Sequence, residues 1–270
     1  MHGRAANRKE SDEQPLLVVR ASPGIAVLTL ARPRVHNALD MALLDALLAA
    51  IGESAADPDV RALVLTGTGT SFCSGDDLAG LKESGSAEFE QVLDALQNLT
   101  LALIDCPKPV VAALNGPAYG AGLELVLASD VRLATPSFAA ATPEVRLGLV
   151  ATNGATVLLP HLIGPSRARR MLLDGETRDA QWCVQAGLVD ELVVAERLMD
   201  EAVACAAELS NGAPGAIAAT RAMTNAPLRQ ALLEALVREK HTCLEARQSS
   251  ECEEGVRAFF ERRQPRWSRA

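Results

Sequence analysis

The 270-residue chain is 49% hydrophobic and 22% charged, which supplies apolar material for one sizeable core and excludes disorder over most of its length. Its net charge of −8 argues against nucleic-acid binding, and no run approaches the ~20 apolar residues of a membrane-spanning helix. Six cysteines (Cys73, Cys106, Cys183, Cys205, Cys243, Cys252) show no C-x-x-C spacing, and four scattered histidines (His2, His36, His161, His241) form no H-E-x-x-H. That pattern points to reduced thiols in a cytosolic protein, without a disulfide framework or a metal site.

Residues 1–14 mix both charge signs without an apolar run, so they read as a flexible tail and not as a signal or transit peptide. The expected location is the cytoplasm. Leu16–Arg20 and Ile25–Leu30, separated by Ser22-Pro23-Gly24, predict a hairpin. Leucines at 39, 43, 44, 47 and 48 with Ile51 predict a helix, for which Asn37 is a suitable N-cap. Arg61–Thr66 reads as a buried strand, residues 87–105 as a helix, Pro109–Asn115 as a second buried strand with a helix opening from Gly116, and Val131–Ala134 as a third strand.

Near-continuous apolar strands alternating with helices indicate an α/β core with parallel pairing. Past residue 150 helical patterns dominate, at 154–163, 166–173, 179–186, 197–209, 213–223, 228–247 and 251–262, with Leu188–Val194 as a single strand candidate. The expected organisation is a tail at 1–14, an α/β core at 15–205 and a C-terminal helical region at 206–270.

Gly67-Thr68-Gly69 begins like a dinucleotide fingerprint but lacks the third glycine and the acid that closes such a unit. A phosphate loop and a G-x-S-x-G elbow are also missing. Two segments of similar design remain, in which a buried strand runs into small residues. They are Ser71-Phe72-Cys73-Ser74-Gly75-Asp76-Asp77-Leu78 and Gly116-Pro117-Ala118-Tyr119-Gly120-Ala121-Gly122-Leu123-Glu124. The second leads into an apolar helix, whose first N–H groups are unpaired donors with positive dipole character. Taken singly, either is as well explained by tight strand–helix packing.

Taken together, RPRVHNALDMALLDAL, TGTGTSFCSGDDL, NGPAYGAGLELVLASD, TPEVRLGL and EGVRAFFERRQPRW resemble, in order, the motifs of the enoyl-CoA hydratase/isomerase (crotonase) family. The resemblance spans about residues 16–270 and implies a spiral of ββα units followed by helices, assembled as a homotrimer or a dimer of trimers. It further implies an acyl-CoA thioester substrate, no cofactor beyond the coenzyme A of that substrate, and no metal. By motif position the backbone N–H groups of Asp76 and Ala121 would form the oxyanion hole, and Glu124 and Glu144 would be the acid–base pair that adds water to a 2-enoyl thioester. Arg34, Val35 and Ala38 would lie along the coenzyme A, with Ser74, Asp77 and Leu78 at its adenine end, while Tyr119, Thr142 and Leu147 would line the acyl pocket. The stretch from Arg257 to Arg263 would cover a neighbouring subunit's phosphates, or else be a solvated amphipathic helix.

Three departures bear on the reaction. Ala121 stands where hydratases carry the middle of three glycines, and Asp76 replaces the usual alanine. The loop Ala151-Thr152-Asn153-Gly154-Ala155 differs from their Pro-Gly-x-Gly-Gly. Because a carboxylate beside a developing oxyanion is unfavourable, the Asp76 side chain is expected to point away. The alternatives to hydration are isomerisation, hydrolysis or decarboxylation on the same scaffold, or acyl-CoA binding without catalysis.

Overall fold

The computed structural model describes residues 14–78 and 85–267; the expected N-terminal tail lies outside them, apart from Gln14. The sheet begins with β1 (Leu16–Ser22), which turns at Gly24 (φ +82°) and pairs antiparallel with β2 (Ile25–Leu30), as the turn residues predict. From β2 onward every neighbour is parallel, through β3 (Ala62–Gly67), β4 (Val110–Leu114), β6 (Val131–Ala134) and β9 (Glu191–Leu192). Helices α1 (Met41–Ala56) and α2 (Ser86–Asp105) lie between consecutive strands, as parallel pairing requires.

Strand alternation sorts the sheet into two faces. Leu28, Leu63, Leu65, Ala112 and Leu114 meet the leucines of α1, α2 and α3 (Ala121–Leu127) in the larger core. Ile25, Val27, Val64, Val111 and Leu133 pack instead on Leu198, Ala202 and Ala206 of α7 (Leu198–Leu209). Burying each of the Val, Leu and Ile side chains contributes about 1.5–3 kcal/mol, so covering both faces dominates the stability of the sheet.

A second, thinner layer follows the strand ends. After β2, Leu39 bridges Asp76; after β3, Cys73 bridges Ala118. Then β5 (Ala118–Tyr119) pairs with β7 (Ala139–Ala141), and β7 with β8 (Arg178–Asp179). Each turn of the chain therefore runs strand, short second strand, helix. These short pairings are invisible to hydropathy, and they delay the helix expected from Gly116 until Ala121.

The remaining elements are α4 (Ala155–Ile163), α5 (Pro165–Asp174), α6 (Ala180–Ala186), α8 (Pro214–Arg247) and α9 (Ser250–Phe260). Three expectations need correction. The cap of α1 is Asp40, whose carboxylate accepts from Leu43 N at 2.9 Å. Asn37 is instead left-handed (φ +57°) and fully buried, its amide donating to the carbonyls of Thr68, Ser71 and Phe72.

The stretches 213–223 and 228–247 form one helix, α8, because Pro227 is exposed and the residues before it are anchored. Arg221 caps the end of α2 through Leu103 O and Cys106 O and pairs with Asp130, and Asn225 donates to Ile104 O. The strand expected over Leu188–Val194 shrinks to two residues, since the N–H groups of Leu188 and Val189 are taken by Cys183 O at the end of α6.

Candidate active site

Two of the strand ends lie side by side and expose one N–H each. Phe72 N and Cys73 N donate to Pro117 O, and Tyr119 N donates to Cys73 O, which fixes the two turns in register. A Cβ on Gly75 (φ +93°) would lie 2.7 Å from Tyr119 O and 3.4 Å from Ala121 N, so only glycine permits this approach. A Cβ on Gly122 would likewise lie 2.5 Å from Cys73 O. Among the described residues neither Asp76 N nor Ala121 N donates to a backbone acceptor. The second belongs to the first turn of α3, where the helix dipole reinforces the donor.

Glu124, one turn into α3, is 1% exposed, and both its oxygens are engaged. Oε1 accepts from Asn153 N (2.9 Å) and Ala155 N (3.2 Å), and Oε2 accepts from Asn153 Nδ2 (2.7 Å). Glu144 lies in the 3-10 turn Pro143–Leu147, and its Oε1 is 3.1 Å from where a Gly120 Cβ would stand, beside the Ala121 donor. Gly120 itself adopts φ +52°, ψ −129°, a conformation reserved for glycine.

Burial, with Glu144 and Glu239 close by, holds Glu124 well above the usual carboxylate range, against the pull of Asn153 N–H. Burial likewise pushes Glu144 up to about 7, opposed by its own backbone N–H and assisted by Asp76 and Glu239. Two such carboxyls cannot both ionise cheaply, so the pair retains a proton at neutral pH. Three N–H donors favour the charged form of Glu124, and the shared proton belongs to the pair.

The Asp76 side chain does not point away. Its Oδ1 is enclosed and has no hydrogen-bond partner among the described residues, and its carboxyl is within electrostatic reach of Glu144, Glu124 and Cys243. Burial alone pushes it up to about 6, so a proton removes the charge that the sequence argument found unfavourable only below neutral pH.

The residues expected along coenzyme A are brought together on the same side. Ser74 N donates to His36 O and Ser74 Oγ to Val35 O, which seats the exposed Arg34–Val35 turn against the first strand end. Buried Ala38 adjoins Leu39, whose carbonyl accepts from Asp77 N. Leu78 and Leu147 meet in an apolar cluster with Phe89, Leu149, Cys243 and Cys252. Tyr119 is half-buried at the turn, whereas Thr142 directs its hydroxyl to Met171 O (3.0 Å) in α5. Arg257 and Arg263 both clasp Glu254, so their charges are compensated within the chain.

The chain matches the family model for enoyl-CoA hydratase/isomerase over residues 20–270. The chain belongs to the enoyl-CoA hydratase/isomerase family. It is thus an enzyme of a family whose substrates are acyl-CoA thioesters. A Rhodobacter capsulatus protein named probable enoyl-CoA hydratase is 40% identical over 251 residues, 92% of this chain and 95% of that protein. The 2,3-dehydroadipyl-CoA hydratase of Escherichia coli is 32% identical over 92% of this chain and 97% of its own. Among solved structures, an enoyl-CoA hydratase from Mycobacterium avium subsp. paratuberculosis superposes with a TM-score of 0.85 at 29% identity, covering 94% of this chain and 99% of that one.

Two residues of the site escaped sequence reasoning. Glu239 of α8, 6% exposed, accepts from Gly154 N (2.8 Å), Thr156 N (3.2 Å) and the Thr156 hydroxyl. Successive N–H groups of residues 153–156 are thereby shared alternately between Glu124 and Glu239. Asn153 supplies the side-chain donor to Glu124, which explains one departure from the hydratase loop. The 3.6-residue spacing of Glu239 with Leu232, Ala235, Leu236 and Cys243 on the buried face of α8 was the available signal.

Proposed function

We propose that this enzyme hydrates the 2,3 double bond of an enoyl-CoA thioester. The observation that supports this reading is the closeness of two carboxyls, Glu124 and Glu144, to adjoining turns whose Asp76 and Ala121 N–H groups donate to no backbone acceptor among the described residues. In this reading the thioester oxygen lies between Asp76 N–H and Ala121 N–H, where each donor lowers the barrier by about 3 kcal/mol as enolate charge develops. Ionised Glu124, held by three N–H donors, orients and deprotonates the water that attacks C3. Glu144 gives its proton to C2, and the two carboxyls exchange roles in the reverse direction. The residues present supply this chemistry without a further cofactor, and the coenzyme A moiety runs over Arg34, Val35, Ala38, Ser74 and Asp77 toward Leu78.

The test is a crotonyl-CoA hydration assay with wild type, Glu124→Gln and Glu144→Gln. Wild type is expected to form 3-hydroxybutyryl-CoA, and each variant to lose at least about a hundredfold in kcat. Turnover of a 3-enoyl-CoA without hydration would replace the reading with isomerisation, and unchanged rates in both variants would end the two-carboxyl mechanism. We also infer assembly as a homotrimer or a dimer of trimers, as the family resemblance implies, and exposed Met223 (69%), Val237 (71%) and Phe259 (54%) offer apolar surface on α8 and α9 for it. Sedimentation equilibrium at the monomer mass would refute it. Among the described residues no helix is long and apolar enough to cross a membrane.

A further inference from the structure

The Asp76 carboxyl has no work in hydration, yet it sits at the centre of the site. Its backbone N–H is one of the two donors proposed for the thioester oxygen, so the side chain branches from the carbon next to that nitrogen. The preceding Gly75 is left-handed at φ +93°, and the carboxyl is within electrostatic reach of Glu144 and Cys243. Cys243 belongs to an apolar cluster with Phe89, Leu93, Leu149 and Cys252. Asp76 Oδ1 is enclosed and has no hydrogen-bond partner among the described residues. Buried polar atoms are nearly always hydrogen-bonded, and leaving one unmatched is costly. The missing partner is accounted for if the ligand brings it.

We propose that Asp76 is a specificity-determining residue that recognises a hydroxyl group on the acyl chain of the substrate, next to the reacting double bond. The inference rests on the reading of the site as one that holds a 2-enoyl-CoA. Carbons C2 and C3 lie between Glu124 and Glu144 in that reading, so C4 is the first position left for Asp76 to meet. A hydroxyl suits the carboxyl in either protonation state, because it donates to an ionised oxygen and accepts from a protonated one. An alkyl group at C4 leaves Oδ1 unmatched. A carboxylate at C4 meets Asp76, Glu144 and Glu124 at once and is repelled.

Three thioesters of one shape separate these cases: crotonyl-CoA, trans-4-hydroxy-2-butenoyl-CoA and fumaryl-CoA. Binding is measured by calorimetry in the Glu144→Gln background, with and without Asp76→Ala, and kcat/KM is measured in wild type. With Asp76 present, the hydroxylated thioester is expected to bind at least about tenfold more tightly than crotonyl-CoA, the gain from one buried hydrogen bond, and fumaryl-CoA most weakly. Asp76→Ala is expected to bring the hydroxyl preference to within about twofold. Asp76→Asn keeps the shape, retains part of the hydroxyl preference and admits fumaryl-CoA, which carries the test if the alanine variant does not fold. Equal binding of the hydroxylated and methyl thioesters, or a preference untouched by both substitutions, overturns the proposal. Failure of the hydratase reading shows differently, as no hydrated product from any of the three while the binding ratios stand.

Discussion

Replacing Asp76 by asparagine gives a direct test of how the site carries its acids. An aspartate ordinarily titrates near 3.8, and burial raises this one to about 6. Each tenfold in proton affinity is worth about 1.4 kcal/mol, so ionising Asp76 in the folded protein costs about 3 kcal/mol more than in the unfolded chain. Between about pH 4 and pH 6 the folded state holds a proton that the unfolded state has released, so stability falls as pH rises and levels off above about pH 7. Asparagine cannot ionise and lacks this fall. The stability gain of Asp76→Asn over wild type should grow from near zero at about pH 4 to as much as about 3 kcal/mol at about pH 8. Asp76 is one of the groups that raise Glu144 to about 7, so the substitution also eases the ionisation of Glu144 and adds to the gain in the same direction. Urea denaturation followed by circular dichroism at a series of pH values supplies the curves. A difference that does not change with pH, or a variant less stable than wild type at pH 8, would refute the reasoning.

Asn153→Ala removes the 2.7 Å donor from Glu124, a bond to a charged group worth about 1.5–3 kcal/mol. The ionised form loses support, Glu124 takes up its proton at higher pH, and the acidic limb of kcat/KM should move up by about one pH unit or more; an unmoved limb speaks against Glu124 as the base. A Cβ at position 255 would lie 2.4 Å from Leu147 C, so Gly255→Ala pushes α9 off the turn that carries Glu144. Thermal unfolding should show a loss of about 1–3 kcal/mol, and kcat should fall more than KM changes. Glu239→Gln sets an amide against the Gly154 and Thr156 donors and should destabilise the protein by about 1–3 kcal/mol while lowering kcat. Lost stability with kcat intact would make Glu239 structural only.

Local chemistry made much of this molecule legible. The hairpin at Gly24, the apolar strands, the α2 periodicity and the proline before Glu144 all follow from φ preferences and hydrophobic spacing over a few residues. The five ordered motifs identified the family, and with it the spiral fold. Long-range pairing was less accessible. Nothing near Asn37 reveals that it holds three carbonyls of the 68–72 loop, and nothing near Pro227 reveals that Arg221 and Asn225 tie α8 to the end of α2 strongly enough to keep it one helix.

At the site itself, the sequence determined which backbone turns carry the donors, because only glycines at 75, 120 and 122 permit the close approach of two strand ends. It also placed Glu124 and Glu144 beside those turns. Tertiary structure decided what the carboxyls face. Asp76 was expected to turn outward because a charge beside an oxyanion is costly, but the fold encloses its Oδ1, and burial raises its proton affinity to about 6. Glu239 lies 115 residues beyond Glu124 in the chain and enters the site only because α8 folds back onto the 153–156 loop. A carboxyl's proton affinity depends on every group that surrounds it in space, and that quantity is fixed only once the chain has closed around it.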